Sequence, residues 1–177
     1  NPEFLREKNA NQDFIDSDII IFGGNEVNIK NLGNFYDKYT NCINKNYIYT
    51  DLITASLVKY TINTYLATKV IFFNEISKLH EVSGSKSSWA EFTEILQKDK
   101  RIGSSHMQVP GPDGRMGFGG ACFPKDSNAL SSYANSLNQS LSLLDAAILK
   151  NNDIRSKYTS VNQRESDQNI IFNSEDD

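Results

Sequence analysis

The sequence predicts a mainly α-helical protein, with one or two short strands of a parallel sheet beside a long central helix. Three observations predict it. Over residues 51–81, Leu52, Ala55, Val58, Ile62, Leu66, Phe73 and Ile76 recur at helical spacing. Tyr60, Tyr65, Val70, Ile71 and Phe72 spread the apolar surface around most of that helix. Such a helix is expected to be buried on nearly all sides, which in so small a chain calls for a second subunit. Second, residues 18–22 form a short apolar run ended by Gly23 and Gly24, the mark of a buried strand in a parallel sheet. One strand cannot stand alone, so the rest of its sheet is expected outside this chain. Third, 38% of residues are hydrophobic and 23% charged, which allows a modest core and a polar tail.

The elements follow in order. Asn1-Pro2-Glu3 reads as a helix start, with Asn as N-cap and Pro at the first helical position. Glu3 and Glu7 would then share a face, either complementing the helix N-terminus or facing a site as paired carboxylates. Residues 26–40 read as a helix interrupted by Gly33, and 47–50 as a second strand. Cys42 lies between them with no activating neighbours and reads as a structural thiol. On the long helix Lys59 and Asn63 are four apart and therefore neighbours. Lys59 either snorkels to a wet edge or is put to use. Residues 89–97 form a short amphipathic helix. Residues 104–116, with Pro110, Gly111, Pro112, Asp113 and Gly114, form a turn-rich loop. His106 in that loop is a ligand contact or an exposed histidine. One helix is expected from Pro124 to about Asn151, and residues 163–177 read as a polar tail with the apolar patch Ile170-Ile171-Phe172.

The stretch that gathers chemistry is Gly117-Phe118-Gly119-Gly120-Ala121-Cys122-Phe123-Pro124-Lys125-Asp126. Glycines let another molecule approach the backbone. A thiol just before a helix N-terminus, beside a lysine and an aspartate, has the parts of an activated nucleophile. Gly23-Gly24 lacks the G-x-G-x-x-G pattern of a dinucleotide loop.

The net charge of −4 disfavours nucleic acid as a partner. Two cysteines and no secretory leader suit a reduced, cytoplasmic protein. No apolar run reaches membrane-spanning length, and no metal-ligand spacing stands out. The opening at Asn1, without Met, suggests a piece of a longer protein.

Five motifs in order now resemble the UDP-glucose/GDP-mannose dehydrogenase family, the sugar-nucleotide 6-dehydrogenases. They are Asn1 to Glu7; Val58-Lys59 through Asn63-Thr64-Tyr65-Leu66-Ala67-Thr68-Lys69 to Phe73-Asn74-Glu75; Arg101-Ile102-Gly103; Val109 to Gly114; and Gly117 to Asp126. The resemblance implies that residues 1–50 end an NAD-binding Rossmann-type domain and 51–158 form the helical central, dimerising domain. Residues 159–177 would be a linker or a disordered acidic tail. It implies NAD as cofactor, held mainly by a domain outside this chain, and a sugar nucleotide, most simply UDP-glucose, as substrate. Other sugar nucleotides, UDP-N-acetyl-mannosamine or GDP-mannose, and a dimerisation fragment inactive by itself, are the alternatives. Cys122 matches the family's catalytic thiol, which captures an aldehyde between two oxidations. Lys59 and Asn63 match its oxyanion pair, Asp126 its water-activating carboxylate, and Glu7 a further acid or base. Glu3, Phe4, Leu5, Arg6, Arg101, Gly119 and Lys125 fall where the family meets substrate, and His106 is an added guess. Glu7 and Lys125 are also placed toward the cofactor. Ser56 stands where many members carry a glutamate.

Overall fold

The computed structural model describes residues 1–6, 9–160 and 162–173. The chain divides into two compact units, Asn1–Ile62 and Asn63–Asp177.

The first unit is built on a strand–helix–strand crossover. β1 (Ile21–Gly23) pairs in parallel with β2 (Ile48–Thr50), Ile21 opposite Ile48. The crossover between them is α2 (Glu26–Tyr39), as a parallel pair requires. Asn25 caps α2, its side chain accepting from Val27 N–H. Gly33 inside α2 has a steric reason: a Cβ there would collide with the Tyr49 hydroxyl. Ile20, Phe22, Ile29 and Cys42 form the core, with Phe14, Tyr36 and Tyr47 packed on it. The Cys42 thiol donates to Phe14 O at 3.3 Å, a structural role, as its surroundings predict.

The expected helix at the chain start is not there. Residues 1–6 are irregular, and the first helix is α1 (Ala10–Ile15). Side chains take the backbone groups a helix would have used: Arg6 N–H donates to Asp13 Oδ2 at 2.8 Å. The Asn1 amide lies 2.6 Å from the Tyr36 hydroxyl. Glu3 lies in this irregular stretch, and Glu7, its expected partner on one face, lies outside the described residues.

α3 (Leu52–Val82) runs 31 residues. Asp51 Oδ1 accepts from Thr54 N–H at its start, the usual capping contact. Within the chain α3 is buried on one side; cover on its other faces, expected from a second subunit, does not come from the chain itself. Ala55, Ala67, Ile71 and Phe73 are covered, whereas Tyr65, Phe72 and Leu79 are more than half exposed. These three recur every seven residues and form an uncovered apolar stripe; Leu52, Ile53 and Val82, near the helix ends, are also more than half exposed.

The second unit packs further helices on α3. α4 (Trp89–Leu96) starts in a capping box between Ser88 and Glu91. The expected single helix over 124–151 is two, α5 (Cys122–Ser136) and α6 (Ser142–Arg155). Asn138 takes a left-handed conformation, φ 56°, between them, which an asparagine tolerates and a helix does not. Ser131 on α5 donates to Asp145 on α6 at 2.5 Å, tying the hairpin together. α7 (Gln163–Asp167) lies within the expected tail, and its Glu165 is buried. The acidic end, residues 174–177, lies outside the described residues. Ala67, Ile71, Phe118, Ala147 and Ile154 form this unit's core. Among the described residues no helix is long and apolar enough to cross a membrane.

Candidate active site

Cys122 is the first residue of α5, which begins two residues before the expected start at Pro124, and it is exposed. Its Sγ therefore stands at the positive end of the helix, where the first N–H groups have no partner within the helix. Pro124 fits in that first turn because a proline there costs no helical hydrogen bond.

One turn on, at i+4 from Cys122, is Asp126, 1% exposed. A carboxylate so buried requires partners. Asn63 Nδ2 on α3 donates to its Oδ2 at 2.6 Å. Lys125 Nζ donates to its Oδ1 at 2.5 Å, while the lysine side chain stays half exposed. The structure thus joins Asn63, Lys125 and Asp126 directly and puts Cys122 above them on the same helix. Lys59, half-buried, precedes Asn63 by one turn of α3.

The glycine loop is anchored at its centre. Phe118 is 4% exposed in the core, a burial that contributes roughly 1.5–3 kcal/mol. Buried side chains take two of the backbone N–H groups there. Asn74 Oδ1 accepts from Gly117 N–H and Asn151 Oδ1 from Phe118 N–H, each at 2.7 Å. Gly119 was expected near the sugar. Its immediate reason to be glycine is internal, since a Cβ would collide with Arg155 and Glu165.

His106 is half-buried rather than exposed. Its ring lies against Phe123, centroids 5.5 Å apart, and its Nδ1 is buried without a hydrogen-bond partner. Burial first, then the Lys69 charge, hold its pKa below the ordinary histidine value of 6.5. Lys69 is itself buried and donates to Ile102 O at 2.9 Å; burial lowers its pKa too.

Arg101 is exposed and bonded to Asp99 in its own turn. Glu3, Phe4 and Leu5 line a hollow of about 140 Å³ in the first unit, with Phe14 and Tyr36. Arg6 beside it grips Asp13, whose carboxyl is thereby lowered from 3.8 to about 2. A Cβ on Gly23 would sit 2.5 Å from the Ala55 Cβ, so that glycine serves helix packing, and Glu26 opens the following helix with a negative charge. Among the described residues no three His, Cys, Asp or Glu side chains gather as metal ligands.

Sequence reading missed Asn151, Arg155 and Glu165. A signal existed for the first two. Both occupy the buried face of α6 set by Leu144, Ala147, Ile148 and Ile154, where a polar residue is costly unless it is bonded. Glu165 carried none, since nothing in a polar tail marks one carboxylate for burial.

Residues 53–153 match the central domain of the UDP-glucose/GDP-mannose dehydrogenase family. The chain is 39% identical over 156 residues to a UDP-glucose 6-dehydrogenase of Rickettsia bellii, covering 86% of this chain and 34% of that protein. It is 36% identical over 154 residues to UDP-glucose 6-dehydrogenase YwqF of Bacillus subtilis, covering 86% and 32%. The solved structure of a UDP-glucose dehydrogenase from Pyrobaculum islandicum superposes with a TM-score of 0.73 at 34% identity, over 85% of this chain and 33% of that one. The chain spans about a third of the length of the curated relatives it matches. Matched over residues 53–153 and similar to these relatives along most of its length, the chain belongs to the UDP-glucose/GDP-mannose dehydrogenase family and carries its central domain.

Proposed function

We propose that this chain carries the covalent-capture centre of a UDP-glucose 6-dehydrogenase, which oxidises the C6 alcohol of the sugar to a carboxylate. The observation that carries the reading is the exposed Cys122 one helical turn above the buried Asp126, itself bonded to Asn63. The relatives' substrate supports UDP-glucose.

Two hydrides leave the substrate carbon in all, and NAD⁺, when bound, supplies the acceptor for each. The chain's own residues do the rest. The first oxidation also releases the C6 hydroxyl proton to water; the Cys122 thiolate then adds to the C6 aldehyde, forming a C–S bond and an oxyanion. Asn63 uses one N–H on Asp126; the other is the donor available to that oxyanion, with the Lys59 ammonium as a fixed charge. Loss of the second hydride turns the thiohemiacetal into a thioester. Water then adds to the thioester carbonyl, Asp126 takes its proton, and the C–S bond breaks to return the thiol and release the acid. Covalent capture keeps the aldehyde from escaping between the two oxidations.

The exposed stripe on α3 supports a homodimer through that helix. Arg101, free of the Cys122 cluster, would then reach substrate across the dimer. Residues 1–50 would end the NAD-binding domain, with Glu7 as a further acid or base, and Glu3, Phe4, Leu5 and Arg6 would line the sugar-phosphate site. The protein is read as cytoplasmic. The 177 residues alone are read as inactive; NADH formation by the purified chain with UDP-glucose would overturn that.

The test is Cys122→Ser in the protein that carries this chain. The variant is expected to form no UDP-glucuronate; acid formation at the normal rate would refute the nucleophile. A panel of sugar nucleotides run beside it reads the substrate, with GDP-mannose or UDP-N-acetyl-mannosamine outpacing UDP-glucose as the contrary result.

A further inference from the structure

The entry to α5 is held by charge from the far end of the chain. Its N-cap, Ala121, has no side chain to cap the helix, so the preceding loop must fix where the first turn begins. Glu165 Oε1 accepts from Gly120 N–H at 3.1 Å, two residues before the thiol. Glu165 also binds Arg155 Nη2, a guanidinium with no exposed surface. Arg155 Nη1 donates to Asp113 Oδ2 at 2.8 Å, and Arg115 Nη1 lies 3.6 Å from Glu165 Oε2. Two guanidiniums and two carboxylates thus balance beneath the loop. Gly119 rests directly on this array, because a Cβ there would meet Arg155 and Glu165. Phe172, beyond α7, lies over the Arg155 guanidinium at 5.5 Å from its ring centroid.

We infer that Glu165 is a positioning residue for the Cys122 thiol. Through Gly120 N–H it fixes the start of α5, and Arg155 and Arg115 hold its carboxylate in place. Residues 163–172 are then part of the machinery that sets the nucleophile. The inference rests on Cys122 as the nucleophile, and it differs from a purely structural ion pair in one respect. The contact to Gly120, not the charge alone, must matter to the chemistry.

Two substitutions separate contact from charge. Glu165→Asp keeps the charge that balances Arg155 and Arg115 but withdraws the carboxylate from Gly120. Glu165→Gln keeps an oxygen that can accept from Gly120 and removes the charge. In the protein that carries this chain, each variant is measured for kcat and KM with UDP-glucose and for the rate at which iodoacetamide alkylates Cys122. Cys42, 2% exposed, is the internal reporter of unfolding. Glu165→Asp is expected to lower kcat about tenfold or more with KM within about twofold, because small misplacement of a reacting group is costly. Its Cys122 alkylation rate shifts by several-fold while Cys42 stays protected. Glu165→Gln is expected to stay within about threefold of the wild type in kcat. Wild-type kcat and alkylation in Glu165→Asp would overturn the inference. So would an equal loss in Glu165→Gln, or losses accompanied by alkylation of Cys42, which would make Glu165 structural only. Normal acid formation by Cys122→Ser would instead sink the nucleophile reading, and the alkylation rates would still report how the thiol is placed.

Discussion

Asp126 is the carboxylate around which the site is arranged, and its neighbours show how a few residues divide the work. Asn63 and Lys125 satisfy both its oxygens, so it can remain buried beneath an exposed thiol. Lys59 is assigned to charge that develops during reaction, which fixes how its loss should look. Lys59→Ala is expected to lower kcat about 100-fold or more while KM for UDP-glucose changes little, the pattern of an interaction made in the transition state. Steady-state kinetics decide it: a raised KM at unchanged kcat would make Lys59 a binding residue. His106 supplies a pH dependence. Its folded-state pKa lies below 6.5, owing first to burial and then to the Lys69 charge. The unfolded chain therefore takes up the proton first. Stability from this group is full above pH 6.5 and falls as pH drops from 6.5 through the lowered folded-state value. His106→Asn, which tolerates the left-handed backbone at φ 63°, should flatten that fall in thermal melts across the same range. A variant with an unchanged slope would assign the dependence elsewhere.

At the scale of elements, helix α3 carries an apolar stripe that the chain itself leaves uncovered. Tyr65, Phe72 and Leu79 stand at a seven-residue interval with more than half their surface uncovered. Phe72→Asp is expected to convert a dimer to monomer in light scattering and to leave the monomer folded, since the side chain is outside the core. A dimer of unchanged mass would move the interface off this stripe. The period of α3 was readable because apolar residues recur along 31 positions. Its one-sided burial was not, because sequence periodicity cannot tell a surface covered within the chain from one covered by another molecule. The split of α5 from α6 escaped for a different reason. Leu137 and Leu141 continue the helical apolar pattern across the break, and the turn depends on Asn138 alone adopting φ 56°. The opening segment failed in the opposite sense. Asn-Pro-Glu is a good helix start, but Asp13 captures the Arg6 N–H and the chain stays irregular. A tertiary contact overrode local preference.

At the scale of the molecule, the two units carry separate cores, one of aromatic and branched residues around β1 and one on α3 around Phe118. The thiol, its carboxylate and the donor Asn63 all belong to the second unit. Their residues were legible because each lies in a distinctive short motif. Their support was not. Asn74, Asn151, Arg155 and Glu165 come from three helices, and only the folded chain brings them to the glycine loop. Breaking one partner from a buried ion pair costs about 3–5 kcal/mol, so this support also ties α6 and α7 to the loop's stability. The account stands on the thiol. The direct measurement is acid quench of the protein that carries this chain during turnover of UDP-glucose and NAD⁺, followed by peptide mass mapping. The account predicts a sugar-nucleotide adduct on the peptide containing Cys122, absent without NAD⁺. Turnover with that peptide unmodified at every quench time would contradict it.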